Sequence, residues 1–462
     1  MKEIDLFIIG SGPGGYTAAI RAAQLGAKVA IIEKNDLGGT CLNKGCIPTK
    51  SLIASAYMLD YIRKAKNFGI KVEEKGIDFA SIMARKEKIL RQLRHGIKHL
   101  LRSYNIEVIK GNAFFVSPFK IKIGDKFFNV SKTIIATGST FSEIPGIKID
   151  HKSIITSDDI LKINYIPSSL LIIGGGVIGL EFACIFHTFG SKVTIIELLP
   201  KILSGEDIEI SQTLEKILMA KGIDIKTNTR IDEINYTDKG IEIVLRSISG
   251  ISKLITEKVL IAAGRKPYIK GLGLENAGII CENNKIIVNR KMETNIKGIY
   301  AIGDVTGLPF LAHKACAEGI IAAENAMGKE SVVNYKVIPD CVFTLPEVAS
   351  VGLSEEGAKE KGYKINVGKF PFIASARAIT LGETKGFVKI IADKKTDVIL
   401  GVHIISAHAT ELITEAALAI KLGCRTSELT RMIHLHPTLS EAIFQASLDV
   451  HKKATDLPKI LS

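Results

Sequence analysis

The sequence has no apolar run approaching the roughly 18 residues that a membrane-spanning helix needs, so we expect no membrane span. It also lacks any run of about five or more consecutive basic residues. Its 61 lysines and arginines outnumber 48 acidic residues, and the resulting net charge of +13 is spread along the chain. This spread favours an ordinary solvated surface, and we expect no nucleic-acid partner.

The cysteines do not form the even-numbered framework of a small secreted protein. There are seven in 462 residues, and most are isolated in the sequence. A strand is expected at residues 4–9, which leaves no room for a cleavable signal before it. The composition, 46% hydrophobic and 24% charged, is that of a globular chain long enough for about two to four domains. We therefore expect a folded cytoplasmic protein.

A glycine-rich motif follows the apolar run at residues 4–9 and opens an alanine-rich helix. Its glycines are Gly10, Gly12, Gly14 and Gly15. A second strand at residues 28–32 ends at Glu33, 18 residues after Gly15. In dinucleotide-binding βαβ units, such glycines allow a tight turn and close approach of the diphosphate to the helix, and the acid binds a ribose hydroxyl. The sequence therefore predicts a dinucleotide site here.

The same unit recurs at residues 170–197, with Gly174, Gly176 and Gly179 followed 18 residues later by Glu197. Two such units imply two dinucleotides, most simply a flavin and a nicotinamide. Glu197 would bind an unmodified 2′-hydroxyl and repel a 2′-phosphate, and no arginine follows it closely. These features predict NAD rather than NADP at the second unit.

Three later strands end at further candidate cofactor contacts. The strand at residues 132–138 ends in Thr137 and Gly138, and the strand at residues 259–265 contains Gly264. A third strand ends on Asp304, ahead of a helix expected to begin near Leu311. A carboxylate in this position can bind a polyol hydroxyl of a flavin, although an acid after a strand is also common as a turn or cap.

Two cysteines, Cys41 and Cys46, are separated by four residues. A regular helix would separate them by about 7.5 Å along its axis, whereas a disulfide needs Cα atoms within about 7 Å, so Gly45 is expected to relax the backbone. Pro48 suits a first helical turn, which places Cys46 near a helix N-terminus where the dipole favours a thiolate. Lys50 would add positive charge one turn later.

The cysteine spacing alone leaves three interpretations open, namely a redox-active disulfide, two buried free thiols and half of a metal site. A zinc site would need a second pair of ligands at short spacing, and none appears nearby. The neighbouring dinucleotide motifs favour the redox-active disulfide, with no bound metal.

The chain beyond about residue 340 has no glycine-rich phosphate loop, and we predict a separate α+β domain there. The expected elements are strands at 387–392 and 398–405 and helices at 409–422 and 438–453. Two further helices, at 51–65 and 80–104, are expected as an excursion within the first domain.

The last domain contains two candidate bases, His434 and His436, which are equal by chemistry alone. A dithiol oxidation needs a base, because a thiol with a pKa of about 8.5 must ionise before it attacks a disulfide. His436 precedes Pro437 and is therefore held extended, off the helix. Residues 438–441 have the T-x-x-E pattern of a capping box, which gives Glu441 a structural role that can coexist with a catalytic one.

Together these motifs resemble those of the pyridine nucleotide-disulfide oxidoreductases. They occur in the same order as in that family, and the resemblance covers residues 4–456. They lie at residues 10–15, 38–50, 174–181, 301–304, 311–315 and 436–441. The resemblance implies an α/β fold with two Rossmann-like domains, for FAD and NAD, and a C-terminal α+β dimerisation domain. The implied boundaries are residues 1–145 and 271–339 for the FAD domain, 146–270 for the NAD domain and 340–462 for the interface domain.

The resemblance is strongest to the members that serve 2-oxo acid dehydrogenase complexes. It implies a homodimer that oxidises protein-bound dihydrolipoamide to lipoamide and reduces NAD⁺ to NADH, through a Cys41–Cys46 disulfide and one FAD per subunit. Lipoyl domains and an acyltransferase core would be its partners. Cys41 would exchange with substrate, and Cys46 would be the charge-transfer thiolate beside the flavin. His436 would be the base, oriented by Glu441, and this pair would serve the other subunit.

The remaining implied roles concern the cofactors. Lys50 would lie near the flavin ring and pair with Glu181 beside the nicotinamide, although Glu181 is otherwise an ordinary acid of a first helical turn. The predicted cofactor contacts are Gly10, Gly12, Gly14, Gly15, Glu33, Lys50, Thr137, Gly138, Gly174, Gly176, Gly179, Glu197, Gly264, Asp304 and Ala312.

Other members of the same superfamily are the alternatives. Glutathione reductase would be expected to have basic residues after the second unit, where residues 197–200 are Glu-Leu-Leu-Pro. Mercuric reductase usually has a C-terminal cysteine pair, which residues 456–462 lack, and soluble transhydrogenase lacks the first cysteine, which is present here. A protein that binds FAD and NAD without turnover would not need the complete set of cysteines, His436 and Glu441.

Overall fold

The computed structural model describes residues 4–73 and 75–458, and its first sheet carries the first glycine motif. The five strands of this sheet are all parallel. In spatial order they are Ile299–Ala301, Thr133–Ile135, Leu6–Ile9, Val29–Glu33 and Glu107–Lys110. The strand Leu6–Ile9 is continuously apolar because both faces of this parallel sheet are covered. The predicted βαβ unit is confirmed, with the helix Pro13–Gln24 joining its first two strands.

The strand Ile299–Ala301 belongs to this first sheet although it follows the second unit in the sequence. The helix after it, Ala312–Ala326, begins one residue beyond Leu311 and packs against Pro13–Gln24. A Cβ added to Gly14 would lie 2.7 Å from the carbonyl oxygen of Ala315, so this glycine allows the two helices to approach.

In the part of the chain that the structure describes, the excursion after Glu33 forms three α-helices and a small sheet. The helices are Gly39–Lys44, Cys46–Lys64 and Phe79–Ser103, and the antiparallel strands are Ala113–Ser117, Lys120–Ile123 and Lys126–Asn129. The second of these helices begins five residues earlier than the predicted residue 51. Gly45 separates it from the first helix, as the cysteine spacing predicted, with a φ of −145° and a ψ of −109°.

The second parallel sheet carries the second glycine motif. In spatial order its strands are Asp224–Lys226, Lys192–Ile196, Ser169–Ile173, Lys258–Ile261 and Ile154–Thr156. Its helices are Ser157–Ile160, Val177–Phe189 and Ile208–Ala220, and an antiparallel sheet of Arg230–Thr237, Gly240–Ser247 and Gly250–Thr256 packs beside it. The smaller pairings are Ser139–Phe141 with Arg265–Pro267 and Cys281–Glu282 with Lys285–Ile286. Short 3₁₀ helices span Ala65–Phe68, Leu274–Ala277, Gly303–Thr306 and Phe372–Ala374.

The C-terminal part is an antiparallel sheet covered by helices, which confirms the predicted α+β character. Its strands, in spatial order, are Asp340–Val342, Glu347–Gly352, Ile399–Ser406, Phe387–Asp393 and Ile365–Pro371. Its helices are Glu355–Glu360, Ala376–Leu381, Ala409–Leu422, Thr426–Leu429 and Glu441–Asp449. The domain boundaries at residues 145, 270 and 339 stay predictions.

The final helix begins at Glu441, not at residue 438, so the predicted capping box at its start is wrong. Glu441 Oε2 does accept the Thr438 N–H at 2.8 Å, as one half of such a box requires. The Thr438 hydroxyl instead donates to the Leu435 carbonyl at 2.7 Å, because the chain makes a turn there before the helix starts.

One hydrophobic cluster joins the parts of the molecule. It contains Ile195 of the second parallel sheet, Val348 of the C-terminal sheet and Leu52 of the helix Cys46–Lys64. This shared core holds the helix that carries Cys46 against both the second sheet and the C-terminal part. Among the residues described, no helix combines the length and the apolar character needed to cross a bilayer.

Candidate active site

A cavity of about 1780 Å³ is lined by both glycine motifs and by both cysteines of the predicted redox pair. This volume exceeds the roughly 300–1,000 Å³ of an ordinary ligand pocket. The predicted site residues in its wall are Gly10, Gly12, Gly14, Gly15, Glu33, Cys41, Cys46, Lys50, Thr137, Gly138, Gly174, Gly176, Glu181, Glu197, Gly264, Asp304 and Ala312. Of the described residues that were predicted to form the site, Gly179, His436 and Glu441 lie outside this wall.

Both glycine motifs present a helix N-terminus to the cavity. Gly12 is the N-cap of the helix Pro13–Gln24, and Gly176 is the N-cap of the helix Val177–Phe189. Neither helix has a side-chain cap or an acidic residue in its first turn. Their unpaired N–H groups and the helix dipole favour an anion, and the absence of a Cβ at either N-cap leaves room for one. Both places fit the diphosphate of a dinucleotide.

The other glycines of the two motifs are required by backbone packing. Gly10 has a φ of +103°, and an added Cβ would lie 2.4 Å from the Ala136 carbonyl oxygen. A Cβ on Gly15 would lie 2.0 Å from the Gly10 carbonyl oxygen, and Gly179 stands in the same relation to Gly174. These glycines therefore shape the turn between strand and helix.

Glu33 and Glu197 occupy equivalent places, and each braces its own glycine motif. Glu33 Oε2 accepts the Ser11 N–H at 3.0 Å, and Glu197 Oε2 accepts the Gly175 N–H at 2.7 Å. Because a carboxylate offers about four acceptor positions, each acid retains capacity for a ribose hydroxyl on the cavity side. The bracing role was missed by the sequence interpretation, which considered the acids as ligands alone.

The turn that carries Asp304 is held by a buried ion pair. Glu318 accepts the Gly303 N–H at 2.6 Å and lies 3.1 Å from Lys314 Nζ, with both side chains almost fully buried. Asp304 itself accepts the Ser139 hydroxyl. Sequence reasoning missed the pairing of Lys314 with Glu318, whose one signal was a spacing of four residues on a helix.

The two cysteines lie on either side of the backbone break at Gly45. Cys41 belongs to the helix Gly39–Lys44, and Cys46 is the first residue of the helix Cys46–Lys64. Both are free thiols that share a hydrogen bond. This hydrogen bond from Cys41, opposed by burial and assisted by the charge of Lys50, lowers the pKa of Cys46 to about 7. The same hydrogen bond and burial raise the pKa of Cys41. The pair therefore carries its thiolate on Cys46.

Lys50 and Glu181 form an ion pair beside the cysteines. Lys50 Nζ lies 2.7 Å from Glu181 Oε1 and 4.4 Å from the ring centroid of Phe343. The Phe343 N–H donates to the same carboxylate at 3.1 Å, a contact that no sequence signal indicated. Glu181 lies in the second turn of its helix, so its interpretation as a first-turn acid is wrong.

The two candidate bases differ sharply in exposure. The His434 side chain is 4% exposed, and its Nε2 lies 2.9 Å from Glu415. The His436 side chain is 73% exposed, and its Nδ1 lies 2.8 Å from Glu441 Oε1. Burial opposes ionisation of Glu441, but hydrogen bonds from Thr438 and His436 hold the pKa of Glu441 below its usual value. The charged carboxylate favours an Nδ1–H on His436, which leaves Nε2 free to accept a proton.

Comparison with known families agrees with this geometry. The model of the pyridine nucleotide-disulphide oxidoreductase family matches residues 4–319, and the model of that family's dimerisation domain matches residues 338–447. The chain belongs to this family. As a pyridine nucleotide-disulphide oxidoreductase it has the predicted fold, two Rossmann-like domains and a C-terminal α+β domain. The dimerisation-domain match supports a homodimer.

The similar members of the family extend over nearly the whole chain. The dihydrolipoyl dehydrogenase of Thermus scotoductus is 43% identical over 458 residues, covering 98% of this chain and 99% of that protein. The dihydrolipoyl dehydrogenase of Bacillus subtilis is 43% identical over 468 residues, with 98% and 99% covered. Among solved structures, LpdA from Mycobacterium tuberculosis superposes with a TM-score of 0.88 at 28% identity, covering 96% of this chain and 98% of that chain.

Proposed function

We propose that this chain is a dihydrolipoyl dehydrogenase, which oxidises protein-bound dihydrolipoamide to lipoamide and reduces NAD⁺ to NADH. The observation that carries this function is the hydrogen-bonded pair Cys41 and Cys46 in a cavity that both dinucleotide motifs line. The near full-length likeness to two curated dihydrolipoyl dehydrogenases supports the choice of substrate.

The cavity wall fits the two cofactors of this reaction. FAD would be held by the N-terminus at Gly12, by Glu33 and by Asp304, and NAD⁺ by the N-terminus at Gly176 and by Glu197. Bound FAD would accept the electron pair of the dithiol and pass it to NAD⁺ as a hydride. We assign the remaining predicted contacts in the cavity wall to the same two cofactors.

The thiol chemistry follows from the unequal cysteines. In the oxidised enzyme, a substrate thiolate attacks Cys41 Sγ, and the Cys41–Cys46 bond breaks with Cys46 leaving as the thiolate. Cys46 suits the leaving role because its pKa is lowered. The second substrate thiol then attacks the sulfur joined to Cys41, which leaves lipoamide and an enzyme dithiol that has gained two electrons.

His436 is proposed as the base for the substrate thiol that attacks Cys41, and the proton of the second substrate thiol passes to Cys41 Sγ as that sulfur leaves. Glu441 fixes its ring through Nδ1, so Nε2 can take the substrate proton. His436 does not line the cavity of its own chain as far as the structure describes it, and its side chain is exposed. We therefore propose that His436 and Glu441 serve the cavity of the other subunit in the homodimer.

The proposed substrate defines the partners. A dihydrolipoyl group carried on a lipoyl domain would deliver the thiols, and the acyltransferase core of a 2-oxo acid dehydrogenase complex would carry the homodimer. The scattered free cysteines suit a reducing compartment, so we propose a cytoplasmic location.

The direct test is the reduction of NAD⁺ by dihydrolipoamide with the purified flavin-containing protein. We expect rapid turnover that depends on both substrates, and little activity when NADP⁺ replaces NAD⁺. A protein that retains its flavin, fails with dihydrolipoamide and instead reduces oxidised glutathione with NADPH would be a glutathione reductase, and the proposed function would be wrong.

A further inference from the structure

A fully buried lysine joins the second parallel domain to the C-terminal sheet. Lys389 lies on the strand Phe387–Asp393, and its side chain is 0% exposed. Its Nζ lies 3.0 Å from Asp207 Oδ2, 2.9 Å from Glu209 Oε2 and 2.8 Å from Glu355 Oε2. A buried ammonium group requires such pairing, because removing it from water is otherwise very costly.

Asp207 is the partner of Lys389 that is itself fully buried. It is the N-cap of the helix Ile208–Ala220 and accepts the Glu209 N–H at 3.0 Å. Both of its carboxylate oxygens also contact Lys389, at 3.1 and 3.0 Å. Asp207 is therefore fixed at once by its own helix and by the C-terminal sheet.

The segment before Asp207 contains a strained residue. We call residues 198–207 the strap. Leu203 in the strap has a φ of +44°, which a bulky side chain rarely adopts. Such a conformation persists where the surroundings over-determine it, and it is associated with functional sites.

Leu203 contacts the second glycine motif directly. Its N–H donates to the Gly175 carbonyl at 2.9 Å, and its side chain is buried. Beside it, Ile202 lies so close to Gly175 that an added Cβ on the glycine would be 3.0 Å from Ile202 Cγ2. The strap therefore packs against Gly175, whose neighbours Gly174 and Gly176 line the cavity.

The end of the strap is tied to the C-terminal sheet at a second point. Glu206 accepts the Ser350 hydroxyl at 2.9 Å, and its own N–H donates to the Leu203 carbonyl at 2.8 Å. The contacts thus form a continuous path from Lys389 and Ser350, through Asp207 and Glu206, to Leu203 and the second glycine motif.

We propose that Lys389 is a positioning residue for NAD⁺: by anchoring Asp207 it keeps the strap in the strained conformation that fixes the second glycine motif for binding. Lys389 does not line the described cavity, so it acts without touching the nucleotide. This inference rests on the proposed use of NAD⁺ at the second motif.

The test is a calorimetric titration of NAD⁺ into the oxidised, flavin-containing homodimer. Lys389→Met is expected to raise the NAD⁺ dissociation constant about fivefold to tenfold, the size of one misplaced hydrogen bond. The KM for dihydrolipoamide should stay within about twofold, because Cys41 and Cys46 lie on the helices Gly39–Lys44 and Cys46–Lys64, outside the strap. The matched control is Lys369→Met, which removes a half-exposed contact with Glu209 at 2.9 Å and should leave NAD⁺ binding unchanged.

If Lys389→Met does not fold, Asp207→Asn decides the question. Asparagine keeps an oxygen for the Glu209 N–H and removes the charge that pairs with Lys389. The NAD⁺ dissociation constant of Asp207→Asn should therefore rise, as expected for Lys389→Met. An unchanged constant in the folded variant overturns the inference, as does an equal loss for dihydrolipoamide and NAD⁺. A wild-type protein that does not bind NAD⁺ at all would instead contradict the proposed function.

Discussion

Lys50 Nζ lies 2.7 and 2.9 Å from the two carboxylate oxygens of Glu181. Lys50 stands one turn after Cys46 on the same helix, whereas Glu181 belongs to the helix that starts at the second glycine motif. A single ion pair therefore connects the thiol pair with the proposed NAD⁺ site. The two charges act in opposite directions on Cys46, since Lys50 lowers its pKa and Glu181 raises it.

The first prediction concerns the ionisation of Cys46. Because its pKa is lowered to about 7, the thiolate should predominate above this pH and be lost as the pH falls through it. The measurement is the ultraviolet absorbance of the thiolate in Cys41→Ser, whose hydroxyl can still donate the hydrogen bond that lowers the pKa of Cys46. The absorbance is corrected with the Cys41→Ser/Cys46→Ser double variant. Adding Lys50→Met should move the midpoint to higher pH, whereas adding Lys44→Met, whose lysine pairs with Asp158 at 3.0 Å, should not. A midpoint near that of an ordinary thiol would contradict the assignment.

The second prediction concerns the exchanging thiol. Cys41→Ser should lower NAD⁺ reduction by dihydrolipoamide at least about a thousandfold, because serine cannot form the disulfide that accepts the electrons. Flavin content and the thermal midpoint should stay close to those of the wild type. Cys281→Ser, which changes a thiol outside the cavity wall, is the control and should retain activity. Substantial turnover by Cys41→Ser would exclude the proposed exchange.

The third prediction separates the two histidines. His436→Gln should lower kcat about a hundredfold to ten-thousandfold with little effect on thermal stability, since its side chain is exposed. His434→Gln should instead lower the free energy of unfolding by about 1–3 kcal/mol, because a buried hydrogen bond to Glu415 is lost. Parallel measurements of turnover and thermal unfolding distinguish the two. If His434→Gln were the inactive, stable variant, the assignment of the base would have to be exchanged.

The fourth prediction concerns the choice of dinucleotide. Glu197→Ala should reduce the preference for NAD⁺ over NADP⁺, expressed as the ratio of kcat/KM values, at least about tenfold. The loss of a ribose contact weakens NAD⁺ binding, and the loss of negative charge removes repulsion of a 2′-phosphate. Glu197 also accepts the N–H groups of Gly175 and Leu199, so its loss should lower kcat/KM with NAD⁺ and with NADP⁺. The ratio is therefore the informative quantity, and an unchanged ratio would show that Glu197 does not set the preference.

The two dinucleotide motifs could be predicted from the sequence because their determinants are local. Gly10 needs a positive φ, and Gly15 packs directly against the Gly10 carbonyl oxygen. Both requirements arise within the six residues of the motif. The backbone break at Gly45 was predictable for the same reason. By contrast, Phe343 reaches Glu181 across 162 residues, and no periodicity encodes such a contact.

The start of the final helix shows where a local pattern fails. Thr438 and Glu441 have the spacing of a capping box, yet the Thr438 hydroxyl bonds backward to Leu435 and the helix begins at Glu441. The T-x-x-E pattern does not account for this turn, in which the threonine side chain bonds to the backbone before the helix instead of capping it. The difference in burial between His434 and His436 was equally invisible, because it depends on the packing of the whole C-terminal part.

The strand Ile299–Ala301 joins the first sheet although it is synthesised long after the other strands, which affects how that sheet forms during translation. During synthesis the strand Thr133–Ile135 emerges about 160 residues earlier, and at about 5–20 residues per second it waits roughly 10–30 s for its neighbour. Meanwhile it presents an open edge that can pair wrongly. Asp304 emerges later still, so the nascent chain can complete its flavin pocket only after the whole NAD-binding unit has left the ribosome.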